Sequence, residues 1–204
     1  MIILGGFLID HIARMILTLN SEYYRQIDLP EASFGIISAG FGLMGLFTPR
    51  IGRWLSENKT KTFNYFLLGA LTLVGLIGMA RFIPYWGVAP IILVYGAIGL
   101  AGFLVSNYLN AVTSSEARAT VLSFKGLSYN LAYGGIGILY SLLVYNLRNS
   151  DEIKSTLPEN VESELFKGAL AYFPAYFAIA FILVLLYGVM KRKSIDTSPS
   201  QPSN

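Results

Sequence analysis

Long apolar runs separated by short polar links dominate this sequence. A helix needs about 20 apolar residues to cross the hydrocarbon core of a bilayer. Six stretches approach that length, at residues 2–20, 32–48, 63–80, 88–112, 119–147 and 169–190. The pattern predicts an all-α membrane protein with six transmembrane helices in one domain over residues 1–193. The remaining residues, 194–204, are rich in serine and proline, and we expect a disordered cytoplasmic tail.

The composition supports lipid as the solvent of this chain. Hydrophobic residues make up 54% of the sequence and charged residues 13%, whereas soluble domains carry about 25% charged residues. The net charge of +3 comes from basic residues in short links and at the C-terminus. That placement indicates membrane orientation rather than nucleic-acid binding. The absence of cysteine excludes disulfides and thiolate chemistry.

The distribution of basic residues predicts the orientation of the helices. Cytoplasmic links of membrane proteins are enriched in lysine and arginine. Here the basic residues follow the second, fourth and sixth apolar stretches, as Arg50, Arg53, Lys59, Lys61, Arg118 and residues 191–193. We therefore expect a multi-pass protein of the cell (inner) membrane, with both termini in the cytoplasm.

Three ionisable residues lie midway along the first apolar stretch: Asp10, His11 and Arg14. A charge at the centre of a membrane helix costs about 2.5–3.5 kcal/mol, so these side chains should face the bundle interior. Asp10 and Arg14 share a helix face and can pair. The pair can bind an anionic or zwitterionic substrate or couple to protons, or it can serve only packing. His11 is either a proton relay or a packed histidine.

Polar residues also mark the fourth and fifth stretches. Asn107 is a candidate for lining a cavity, and Tyr129, Asn130 and Tyr133 recur at helical spacing on one face. They are candidates for lining a substrate pathway, with packing as the alternative. Lys125 flanks that face and can either extend to the interface or bind substrate.

Two links carry motifs of a known family. The sequence GLFTPRIGR, with Gly45, Arg50, Gly52 and Arg53, resembles the G-x-x-x-D-R-x-G-R signature of the major facilitator superfamily. In that family the signature lies between the second and third helices of each six-helix half. Pro49 stands at the aspartate position, a departure that favours the C-terminal copy and leaves the carboxylate role unfilled.

The second motif is SEARAT at residues 115–120, with Glu116 and Arg118. It resembles the segment that opens the fifth helix of the family's C-terminal half. The resemblance extends over about residues 2–193, equivalent to the seventh through twelfth helices. It implies two inverted three-helix repeats and a cytoplasmic gating role for both motifs. The alternative is that the motif arginines only orient the helices and meet lipid headgroups.

The resemblance predicts one half of a secondary transporter for a small solute. We expect a truncated or split gene product that needs an N-terminal six-helix half or a homodimer partner. A nucleotide-binding G-x-x-x-x-G-K-[ST] loop does not occur, and we expect no enzyme activity, metal or cofactor. The alternative is a non-transporting membrane protein that binds or regulates other membrane helices.

Overall fold

The computed structural model describes residues 2–196, which are largely helical and contain no strand. Two 3₁₀ turns, Glu31–Ser33 and Pro158–Asn160, lie in the links between helices. The helices of this range are α1 (Ile2–Gln26), α2 (Phe34–Asn58), α3 (Lys61–Met79), α4 (Val88–Val112), α5 (Arg118–Arg148), α6 (Asp151–Lys154), α7 (Val161–Ala171) and α8 (Phe173–Asp196). The predicted all-α class is therefore confirmed for the described residues.

Five helical stretches in this range are long and apolar enough to cross a membrane. They are Glu31–Asn58, Lys61–Met79, Val88–Val112, Arg118–Arg148 and Pro158–Gly188. Helix α1 is not among them, although the sequence pattern predicted six spans. It carries Asp10, His11 and Arg14 near its middle. Asp10 and His11 are buried against neighbouring helices, whereas Arg14 is partly exposed.

Helix α1 forms the centre of the bundle. It packs against α3, α4, α5 and α8, and α3 and α4 in turn pack against each other. Apolar side chains around much of its circumference are buried, including Ile9, Ile12 and Ile16, each at most 1% exposed. The core therefore surrounds the helix that carries the ionisable residues.

Helices α2 and α5 lie on the outside of the bundle. Of the most apolar 18 residues in each stretch, only 6% are buried in the α2 stretch and 11% in α5, against 39% in α4. Large apolar side chains such as Leu46, Phe47 and Leu131 are more than 60% exposed. These two outer faces are thus apolar and uncovered.

The predicted basic link at residues 49–62 is wrong for most of its length. Helix α2 continues through Pro49 to Asn58, and α3 begins at Lys61 with Thr60 as its cap. Proline removes only one helix hydrogen bond, and the polar side chains after it extend the helix beyond its apolar part. The 45–53 motif consequently lies inside α2 rather than between helices.

The predicted loop at residues 148–167 is also largely helical. It contains α6, a 3₁₀ turn and the start of α7, which packs against α5. The predicted sixth stretch is divided, because α7 ends at Ala171 and α8 begins at Phe173. Pro174 lies in the first turn of α8, where its missing N–H is not needed.

The first and last helices both extend beyond their predicted bounds. Helix α1 extends past residue 20 to Gln26, where the Gln26 side chain donates to Glu22 at 2.8 Å. Helix α8 reaches Asp196, so the predicted tail begins within a helix. Residues 197–204 of that tail lie outside the described residues.

Candidate functional site

The ion pair predicted from the sequence is formed between Asp10 and Arg14. Arg14 Nη2 lies 2.9 Å from Asp10 Oδ2 and donates a hydrogen bond to Oδ1 at 3.1 Å. The Asp10 side chain is 12% exposed and that of Arg14 is 35% exposed. One end of the guanidinium therefore neutralises a buried carboxylate, while the rest remains accessible from outside the bundle.

Helix α5 supplies the polar partners of Arg14. Arg14 Nη1 donates to Asn130 Oδ1 at 2.9 Å, and its guanidinium lies 5.7 Å from the centroid of the Tyr133 ring. The Tyr133 hydroxyl is 2.7 Å from Thr18 Oγ1, one turn further along α1. We call Asp10, Arg14, Asn130 and Tyr133 the Arg14 cluster.

Lys125 lies beside this cluster. Its Nζ donates to Ser106 Oγ on α4 at 2.8 Å and lies 5.4 Å from the centroid of the Tyr129 ring. Tyr129 is buried, and its hydroxyl occupies the space that a side chain at Gly6 on α1 would fill. Arg14 and Lys125 carry two positive charges against the single negative charge of Asp10, so this region has a surplus of one positive charge.

His11 points away from the Arg14 cluster. Its Nδ1 lies 2.8 Å from the carbonyl oxygen of Phe7, and its Nε2 lies 2.9 Å from the Tyr176 hydroxyl on α8. A carbonyl can only accept, so Nδ1 donates and the neutral Nε2 accepts from Tyr176. Both ring nitrogens are thus used in joining α1 to α8. The geometry favours packing over a relay toward Asp10.

The remaining pathway candidate, Asn107, is exposed on α4 next to Ser106. Within the described residues it forms no hydrogen bond with the Arg14 cluster.

Sequence reasoning missed Thr18 and Tyr176. Thr18 was detectable from its position one turn after Arg14, whereas Tyr176 had no signal, since only the packing of α8 on α1 brings it to His11.

The first family-type motif lies in the second half of α2, and the second runs from the link after α4 into the first turn of α5. Gly52 is buried against the ring of Phe103 on α4. A side chain at this position would collide with that ring. Gly45 faces open space. The charged members of both motifs, Arg50, Arg53, Glu116 and Arg118, are exposed. Among the described residues no ion pair connects them.

No group of three or more His, Cys, Asp or Glu side chains that could hold a metal ion occurs within residues 2–196. Comparison of the chain with models of protein families, with curated proteins and with solved structures found no match.

Proposed function

We propose that this protein is a six-helix half of a secondary membrane transporter of the major facilitator type, which carries a small solute bearing an anionic group. The observation that carries the proposal is the Arg14 cluster on the central helix. An arginine and a carboxylate placed midway along a buried helix are costly unless they serve a site or a pathway.

The charge of the cluster favours an anionic group on the solute. Asp10 and Asn130 take two of the five guanidinium N–H donors of Arg14. The accessible part of the guanidinium and the nearby Lys125 ammonium offer the remaining positive charge. A carboxylate or phosphate binds such donors through charge-assisted hydrogen bonds. Protonation of Asp10 would release Arg14 further, which is a route to proton coupling.

The proposed transport path lies between this bundle and a second one. The largely uncovered apolar surfaces of α2 and α5 suit contact with an N-terminal half or with a second copy. In transporters built from inverted three-helix repeats, two halves rock around a site near the membrane midplane. Under this proposal α1 and α5 present Arg14, Asn130 and Tyr133 to that site, and the charged ends of the motifs in α2 and before α5 gate its cytoplasmic side.

Binding can be tested on the purified full chain in detergent, without a partner half. Thermal unfolding would be followed with a panel of small carboxylates, phosphates, zwitterions and neutral sugars. A ligand at 100 times its Kd should raise the unfolding midpoint by about 5–10 °C. Arg14→Gln should abolish the shift produced by anionic solutes, because it removes the positive charge that binds them.

The matched control is Arg25→Gln. Arg25 lies on the same helix but outside the cluster, where it pairs with Glu22 and Glu31 at the surface. The Arg25→Gln variant should leave the ligand-induced shift of the unfolding midpoint unchanged. Stabilisation that is equal in wild type and Arg14→Gln, or absent for every anionic solute, would contradict the proposed site.

The alternative function is a non-transporting membrane protein that binds other helices. The observation that favours it is the same pair of uncovered faces, since an apolar surface can bind a partner without enclosing a path. Uptake into proteoliposomes separates the two functions. Transport requires solute accumulation when a second bundle or a second copy is present, whereas the alternative predicts stable complexes without any uptake.

A further inference from the structure

A second interior feature lies nearer the start of α1 than the Arg14 cluster. A cavity of about 510 Å³ opens between α1, α3, α4 and α8. Its walls are mainly apolar and include Ile9, Leu68, Ala101 and Leu104. A volume of this size falls in the range of pockets that bind small organic ligands, roughly 300–1,000 Å³.

The polar residues of the cavity lie at one end. Lys61 and Thr62 begin α3, and Tyr108 lies near the end of α4. The apolar residue Leu68 lies two turns further along α3, and Leu104 lies one turn before Tyr108. Lys61 is exposed, and its Nζ lies 5.4 Å from the centroid of the Tyr108 ring. The cavity therefore has a cationic mouth and an apolar interior.

Two buried polar atoms belong to residues that line this mouth. Asn64 is 1% exposed, and its Nδ2 donates to the Leu55 carbonyl at 3.0 Å and to the Tyr108 hydroxyl at 2.7 Å. The carbonyl partner fixes the amide orientation, which leaves Asn64 Oδ1 as an acceptor without a partner in the described chain. The hydroxyl of Tyr65 is likewise buried and without a partner there. Both atoms are closed off from the cavity, so the groups left to contact a ligand at this end are Lys61 and the apolar walls.

We infer that this cavity binds a single acyl chain of an amphiphile whose head carries a phosphate. Lys61 pairs with the phosphate, assisted by the positive end of α3. The acyl chain fills the space between Ile9, Leu68 and Ala101. Basic pockets between membrane helices at headgroup level are suited to anionic lipids. The inference does not depend on the transport function.

The test is native mass spectrometry of the full chain, released from a non-ionic detergent. The probes are a lysophosphatidylglycerol, a lysophosphatidylcholine of the same chain length, and glycerol phosphate. We expect one lysophosphatidylglycerol per chain, bound about fivefold more tightly than the choline lipid. Glycerol phosphate, which lacks the acyl chain, should not bind measurably.

Three variants locate the site. Lys61→Gln should reduce the affinity for lysophosphatidylglycerol to that for the choline lipid. Lys59→Gln is the matched control, because Lys59 lies two residues away, contacts Trp54 and Phe63, and does not line the cavity. The Lys59→Gln variant should leave the affinities for both lipids unchanged. Ala101→Leu, which fills the cavity, should weaken the binding of both lipids.

Three results would overturn the inference. Equal losses in Lys61→Gln and Lys59→Gln would indicate general attraction to a basic surface. Binding of glycerol phosphate as tight as that of the lipid would indicate an anion site without a chain pocket. Unchanged lipid binding in Ala101→Leu would place the lipid outside the cavity.

Discussion

Tyr85, in the link between α3 and α4, has a φ of 58°, a conformation that costs a residue with a side chain about 1–2 kcal/mol. Its ring is 62% exposed, so little packing compensates for this strain. Tyr85→Gly removes the strain. It also raises the conformational entropy of the unfolded chain, which lowers stability by about 0.5–1 kcal/mol. We expect a net stabilisation of up to about 1 kcal/mol, measured by thermal unfolding in detergent.

Trp86 is the matched control for Tyr85. It is the next residue, it is 78% exposed, and its φ is not positive. Trp86→Gly should lower stability or leave it unchanged, because it adds chain entropy without relieving strain. If both glycine variants shift the unfolding midpoint in the same direction, the strain at Tyr85 does not limit stability. The strained residue is held by a backbone hydrogen bond, in which Tyr85 N donates to Ile27 O at 2.8 Å.

At the scale of elements, the close approach of α3 to α4 depends on glycine. A side chain at Gly75 would place its Cβ 2.9 Å from the backbone oxygen of Pro90 and 2.6 Å from Val94 Cγ2. The backbone cannot yield as a flexible side chain can. Gly75→Ala should therefore destabilise the bundle by about 1–3 kcal/mol, measured by chemical or thermal unfolding in detergent.

Gly96 provides the comparison on the partner helix. It lies in α4, and a methyl group at this position would meet no other helix of the described chain within 4 Å. Gly96→Ala should stabilise the protein by up to about 1 kcal/mol, because alanine is the better helix former. Equal effects of the two substitutions would mean that helix propensity, rather than contact between α3 and α4, decides their outcome. Small residues at such contacts are typical of helices that associate in lipid.

At the scale of the whole molecule, the orientation of the helices can be tested directly. The chain contains no cysteine, so a single introduced thiol reports one position. Ser155 and Ser114 both lie in links, at opposite ends of α5. With cytoplasmic termini, Ser155→Cys should react with a membrane-impermeant maleimide in intact cells. Ser114→Cys should react only after the membrane is opened.

The same degree of labelling at both positions in intact cells would contradict a membrane-spanning α5. Labelling of Ser114→Cys alone would support a spanning helix with the reverse orientation. In either case the permeabilised sample serves as the control for thiol accessibility, because both side chains are exposed in the structure.

The long apolar runs of the sequence by themselves determined the helical class and most helix positions. Helix α4 begins and ends where the pattern predicted, at Val88 and Val112, because its apolar run and the links beside it are sharply distinct. The pairing of Asp10 with Arg14 was also predictable, since residues four apart share one helix face. Such features depend on neighbours in sequence, which a single chain displays directly.

Only the tertiary structure decided which helix lies at the centre and which residues meet there. The cost of burying charge predicted that the ionisable residues of α1 face the interior, but hydropathy does not show which apolar helix its neighbours surround, so the central place of α1 followed from packing alone. The contacts of Arg14 with Asn130 and of His11 with Tyr176 join residues far apart in sequence. The cavity behind Lys61 likewise arises from four separate helices. Non-local contacts of this kind depend on how helices pack, and the pattern of one helix contains no information about them.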